Sequence, residues 1–189
     1  MSYVHLQQNL LRKCAACIGI WVVLIGHPSR GCERTRDIAF DLANFVMCDV
    51  GDGIVYVTAM PAPNKIIISA DNLDGIFAVV RDVKHFSIAS QRIDEKALKV
   101  LAKQKALEIA SFQGVNLTDS GLKVLARSES LRVLTLVGTE VTDDGLLALG
   151  KMNHLRYLYL LDNRTTEDAV EAIKKRLPKC KIVSDVVKK

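Results

Sequence analysis

Residues 114–152 read GVNLTDSGLKVLARSESLRVLTLVGTEVTDDGLLALGKM, and within them LTDSGLKVL is followed, 24 residues on, by VTDDGLLAL. Such an echo is either an accident of a Leu-rich helix or one period of a repeating scaffold. A structural period demands the same residue classes at the same offsets in every copy. With units starting at Val83, Leu107, Leu131 and Leu155, positions 1, 4, 6, 11, 16 and 19 of the first unit are Val83, Phe86, Ile88, Ile93, Leu98 and Leu101. The second unit has Leu107, Ala110, Phe112, Leu117, Leu122 and Leu125 there, and the third has Leu131, Leu134, Leu136, Val141, Leu146 and Leu149. The fourth has Leu155, Leu158, Leu160, Thr165, Val170 and Ile173. Twenty-three of these 24 positions are apolar in a chain that is 49% hydrophobic, so the period is structural.

The intervening positions say what each unit folds into. Position 12 is Asp94, Thr118, Thr142 and Thr166, side chains that accept a hydrogen bond from the free amides of a helix N-terminus. Position 13 is Glu95, Asp119, Asp143 and Glu167, an acid in the first turn, where the helix dipole favours negative charge. Position 15 is Ala97, Gly121, Gly145 and Ala169, small enough for one turn to approach the next. Each unit therefore predicts a short strand, a turn, a capped helix and a return.

The pattern LxxLxLxxTxxTDxGLxxL, present here as LRVLTLVGTEVTDDGLLAL, resembles the leucine-rich repeat family, whose period is about 20 to 29 residues. The TDxGL element is similar to the subtype of F-box-associated and short bacterial repeat proteins, although position 9 is Gln91, Val115, Thr139 and Asn163 where that subtype often has Cys. The resemblance covers about residues 63–181. It implies an α/β solenoid, a right-handed β-α superhelix with a short curved parallel sheet on its concave face and helices on the convex one. A solenoid needs capped ends. Residues 63–82 read as a shortened copy with Ile66, Ile68, Leu73, Ile76 and Val79 at core positions, and LPKCKIV reads as a closing strand. Residues 32–62 are expected to supply an N-terminal capping helix, with Ile38, Leu42, Phe45 and Val46 at helical spacing, and a strand over Ile54–Thr58. No F-box-like sequence is apparent there. The organisation expected is thus 1–31 leader or anchor, 32–62 cap, and 63–189 repeat domain with its C-terminal cap.

Met1 to Cys32 contains Arg12, Lys13 and Arg30 but no acid, and at its centre CAACIGIWVVLIG is a run of 13 uncharged residues. Spanning a bilayer takes about 20 residues, so this run fits the hydrophobic region of a secretory signal peptide or a membrane anchor. A buried helix of a cytoplasmic protein and a mitochondrial presequence are the alternatives. Ser29 stands three before Cys32, where a lipoprotein signal prefers a Leu-like residue. Cys14 and Cys17 have the spacing of a zinc pair, but no second pair or histidine lies nearby, so no metal is expected. Five cysteines are too few for a disulfide scaffold in 189 residues.

The net charge of +5 is concentrated at one end: from Lys174 onward seven basic residues face one acid, and the rest of the chain sums to −1. The excess reads as a C-terminal tag rather than a stripe, and no nucleic-acid partner is expected. Catalytic chemistry is equally sparse. Of four histidines only His85 falls on an expected strand, and a catalytic base needs an orienting acid and a nucleophile within reach. Asp49-Val-Gly-Asp52-Gly53 resembles a calcium loop only until its twelfth position, Met60, which offers no carboxylate. Asn116-Leu-Thr118 and Asn163-Arg-Thr165 match the glycosylation sequon but fall in the turns of the repeat. No cofactor is expected.

What remains is the strip at positions 3, 5 and 7: His85, Ser87 and Ala89; Ile109, Ser111 and Gln113; Val133, Thr135 and Val137; Tyr157, Tyr159 and Leu161. It lacks the Lys and Glu of a solvated spacer and ends in two tyrosines, the composition of an interface core. Strands about 4.8 Å apart make it narrow, suited to a peptide or to a partner that also grips the rim. The expectation is a non-enzymatic module that binds a protein or peptide there, exported or membrane-tethered. The alternative is an assembly factor at a membrane complex, mitochondrial included, acting through the basic C-terminus.

Overall fold

The computed structural model describes residues 45–49, 55–59, 67–79 and 83–186, which belong to a compact unit running from Asn44 to Lys189. The leader, the Cys14–Cys17 pair, the helix expected around Ile38 and Leu42, and Lys188 and Lys189 lie outside the described residues. In chain order the elements are β1 (Phe45–Asp49), β2 (Val55–Ala59), β3 (Ile67–Ile68), α1 (Ala70–Val79), β4 (Val83–Ala89), β5 (Arg92–Ile93) and α2 (Glu95–Lys103). There follow β6 (Ile109–Gln113), α3 (Asp119–Leu125), β7 (Val133–Val137), α4 (Asp143–Ala148) with a 3-10 turn at Leu149–Lys151, β8 (Tyr157–Leu161), α5 (Glu167–Arg176) and β9 (Lys181–Ser184). Strands and helices alternate in a mixed α/β architecture. The main sheet has the order β1-β2-β4-β6-β7-β8-β9, parallel throughout except for the antiparallel β1–β2 pair, and β3 pairs with β5 in a small second sheet.

The period places the core. All 24 positions defined by the repeat are buried, Thr165 among them, and consecutive helices pack on one another. Positions 4 and 6 of each strand point into this core and positions 3, 5 and 7 to the opposite face, because successive side chains of a strand alternate. A fully buried Leu contributes about 1.5–3 kcal/mol, and Leu107, Leu122, Leu131, Leu134, Leu146 and Leu158 are all sealed from solvent.

Side-chain and backbone ladders lock one unit to the next. Position 8 is left-handed in every unit, at Ser90, Gly114, Gly138 and Asp162, with φ between 53° and 58°. Its N–H then donates to position 7 of the following strand: Ser90 to Gln113 at 2.8 Å, Gly114 to Val137 at 2.8 Å and Gly138 to Leu161 at 2.9 Å. At the end of the stack Asp162 donates instead to the Asp185 carboxylate at 2.7 Å. Asn163 Oδ1 accepts from the Thr139 amide and hydroxyl at 3.1 and 2.6 Å, and Asn116 Oδ1 from the Ile93 amide at 2.9 Å.

The caps differ from expectation in two units. Asp94 and Thr166 accept from Ala97 and Ala169 as position 12 predicts, at 2.6 and 3.3 Å. Thr118 and Thr142 make no such bond. The acid at position 13 instead reaches sideways: Asp119 accepts the Thr142 amide at 2.8 Å and its hydroxyl at 2.6 Å, and Asp143 accepts both from Thr166 at 2.7 Å. Thr166 makes both bonds at once, whereas the Thr142 hydroxyl goes to the Asp119 carboxylate, a strong charged acceptor, and the Thr118 hydroxyl to Ser120 at 3.0 Å. Position 15 is as tight as its small residues imply. A Cβ on Gly121 would lie 2.6 Å from Leu98 Cδ1, and one on Gly145 would land on the Asp119 carboxylate.

Two expectations at the N-terminal side are corrected. Phe45 and Val46 lie in a strand, not in a capping helix: Phe45–Asp49 pairs with Val55–Ala59 around the Gly- and Asp-rich residues 50–54, a hairpin signal that outweighs the helical spacing. The copy that precedes Val83 is long rather than shortened. Val57 and Ala59 stand in register with Phe86 and Ile88, so its strand is β2, while Ile68 pairs with Ile93 at position 11 of the turn. The apolar run at Ile66–Ile68 resembles a main strand because position 11 is also a buried site.

Candidate interaction surface on the sheet

Parallel register brings all eleven expected site residues onto one sheet face. His85, Ile109, Val133 and Tyr157 form one row, Ser87, Ser111, Thr135 and Tyr159 a second, and Gln113, Val137 and Leu161, with Ala89, a third. The rows run further than twelve residues. Tyr56 and Thr58 stand in backbone register with His85 and Ser87, and Lys181 and Val183 with Tyr157 and Tyr159. Adding 24 to Tyr157 and Tyr159 reaches Lys181 and Val183, so the period already contained them; their charge and exposure end the expectation of an uncharged strip.

Burial divides the face. Ser111 and Thr135, expected to meet a partner, are buried, and Ser111 Oγ has no hydrogen-bond partner among the described residues. The middle of this row therefore offers a ligand little area. Exposure rises toward β8 and β9. Tyr157 is 42% exposed and Val183 36%, and the Tyr157 and Tyr159 rings lie nearly parallel, 8° apart with centroids separated by 6.5 Å.

His85 is half-buried. Burial lowers its pKa to about 4, so it is a neutral imidazole at physiological pH, with Ile109 beside it in the ladder. His154, in the turn before β8, is also shifted down, by burial and then by the nearby Arg132 charge. Burial raises the Cys180 thiol to about 11, against a smaller opposing effect of Arg156, so it is not a thiolate. Among the described residues no group of three or more His, Cys, Asp or Glu is placed to hold a metal ion, and no helix is long and apolar enough to cross a membrane. A cleft of about 260 Å³ lies between Asp94, Asn116, Thr118 and Ser120, at the junction where no position-13 acid clamps the next unit.

The charge distribution also departs from the reading as a C-terminal tag. In a parallel sheet with helical crossovers, strands begin and helices end at a common edge. Segments 103–108, 123–132, 151–156 and 174–181 line that edge and hold twelve Lys or Arg and two acids, all exposed. Segments 92–96, 114–119, 138–144 and 162–168 line the other and hold nine acids and three bases. Charge is sorted by edge, a pattern that summing along the chain conceals.

Compared with known families and proteins, the chain matches no family model and no curated protein.

Proposed function

We propose that this chain is a small leucine-rich repeat domain that acts as a non-enzymatic interaction module, exported or membrane-tethered by its N-terminal segment. The solenoid reading is supported by the 24-residue period, the parallel register of its strands and the junctions repeated between units. The binding surface is the β8–β9 end of the sheet face, where Tyr157, Tyr159, Val183 and Lys181 adjoin. The observation that carries this is the exposed Tyr157 beside Tyr159 and Val183: a contiguous aromatic and apolar patch with a basic neighbour suits a peptide or protein ligand, for which tyrosines are frequent energetic anchors. Ser111 and Thr135 serve the packing of the face rather than contact.

The test is crosslinked capture from native cells with the wild-type chain and with the Tyr157→Ala, Tyr159→Ala double variant, followed by titration of the captured partner. Loss of both tyrosines should weaken binding at least about thirtyfold, the scale of a hot-spot pair, with the folded circular dichroism spectrum unchanged. Equal affinity of both chains for every partner would sink the assignment of this face.

A further inference from the structure

The basic edge is a second surface, which meets the sheet face at Lys181. Helix dipoles favour bases at helix C-termini, but the effect fades beyond the last turn. It accounts for Lys103 and for Lys174 to Arg176, yet Arg127, Arg132, Arg156, Lys179 and Lys181 all lie past the helix ends. Two of these stand side by side, the Arg156 amide donating to the Arg132 carbonyl at 2.7 Å, with Glu108 beyond Arg132 in the same row and Lys181 following on the next strand in register with Tyr157. Like charges on adjacent strands repel. Carboxylates do little to relieve it, since the ion pairs among the described residues are Lys99–Glu95 and Lys174–Glu171, and only Lys174 belongs to this edge.

We infer that this edge docks on a membrane surface, binding anionic phospholipid headgroups. What projects from it is mainly charge. The four segments contain no Phe, Tyr or Trp, so they lack the stacking platforms with which proteins hold single-stranded nucleic acid. Their large aliphatic residues, Leu107, Leu125, Leu131, Met152, Leu155 and Leu177, are all buried, and although a cleft of about 230 Å³ opens between Leu155, Leu177, Pro178 and Cys180, no large apolar side chain projects from the edge to anchor the centre of a protein interface. A fluid layer of negative headgroups needs neither and is attracted by each Lys or Arg that approaches it. The apolar run at residues 14–26 strengthens the choice. A weak membrane anchor becomes a stable one when a polybasic surface supplies the second attraction, and this run is shorter than the roughly 20 residues of a spanning helix.

Co-sedimentation of the full chain with vesicles tests this, using phosphatidylcholine alone and phosphatidylcholine containing about a third phosphatidylserine. The anionic vesicles should bind at least about tenfold tighter at low salt, and the difference should vanish in roughly 0.5 M salt. The Arg132→Glu, Arg156→Glu, Lys179→Glu variant should lose the difference while keeping its binding to neutral vesicles; the milder Arg132→Gln, Arg156→Gln variant should lose part of it. Equal binding of the wild-type chain to both vesicles, or full selectivity in the charge-reversed variant, overturns the inference. So does tighter binding to an RNA oligonucleotide or to polyglutamate than to the anionic vesicles at the same salt. The Tyr157→Ala, Tyr159→Ala variant should behave as wild type here, which separates this surface from the one proposed on the sheet face.

Discussion

Thr165 is the one hydroxyl among the 24 core positions, and its Oγ1 is buried without a hydrogen-bond partner among the described residues. An unsatisfied buried polar atom carries its desolvation cost in full. Thr165→Val, which keeps the branched shape, should therefore stabilise the fold by about 1 kcal/mol and raise Tm by a few degrees; a calorimetric Tm at or below wild type would refute the assignment. His85 makes the converse prediction. Its pKa is lowered by burial from 6.5 to about 4, so the unfolded chain takes up its proton first as pH falls. The stability associated with the neutral ring is fully present above the unfolded value and drains away as pH falls toward 4. Between pH 7 and 5 wild type should lose roughly 2 kcal/mol more than His85→Gln, read from urea unfolding at each pH. Parallel slopes would mean that the ring is solvated. Both residues illustrate a limit of reading one strand at a time. Periodicity tells which side a residue points to, but the half-burial of His85 and the burial of Ser111 and Thr135 depend on neighbours whose size and distance no spacing encodes.

The junctions between units set how the elements hold together. The acid at position 13 was legible as a helix-dipole partner, but its use as a clamp was not, because the amide and hydroxyl it binds lie 23 residues downstream. Asp119→Ala removes two charge-assisted bonds and should cost roughly 2–3 kcal/mol. A double-mutant cycle with Thr142→Ala, which keeps the backbone amide, should assign about half of that to the hydroxyl bond, and additivity of the two single losses would exclude the side-chain part of the clamp. The first junction lacks this device. Glu95, one methylene longer than Asp, pairs with Lys99 at 3.1 Å in solvent, and the cleft beside Thr118 remains open. Glu95→Asp should place a carboxylate where the Thr118 amide and hydroxyl can reach it, giving about 0.5–1 kcal/mol after loss of an exposed pair worth a few tenths. An unchanged Tm would show that the cleft has another cause. The same dependence on partners explains the N-terminal misreading. Ile66–Ile68 and Ile54–Thr58 are both β-prone, and only register distinguishes the turn strand from the main one.

Across the sheet and helices of the described residues, opposite charges occupy opposite edges although the chain as a whole carries only +5. The sorting follows from topology: helix starts attract acids, helix ends attract bases, and a parallel sheet collects all the starts on one edge and all the ends on the other. Summed along the chain, only the final segment stands out, because the bases at 103–108, 123–132 and 151–156 are diluted by the acids that fold to the far side. The basic edge is nevertheless stronger than helix dipoles require, so it must oppose folding. Neutralising Arg132 and Arg156 to Gln should stabilise the protein by a few tenths of a kcal/mol at low salt, the scale of adjacent like-charge pairs. The gain should disappear in about 0.5 M salt, where the Debye length falls below the spacing of successive edge charges. Urea unfolding at the two salt concentrations measures it. If the double variant is instead less stable at low salt, Arg132, which donates to the His154 carbonyl at 3.2 Å, holds the turn together and the edge is structural. A gain in stability accompanied by loss of binding to anionic vesicles would identify the repulsion as a cost of function, since binding surfaces commonly carry charge that the isolated fold does not favour.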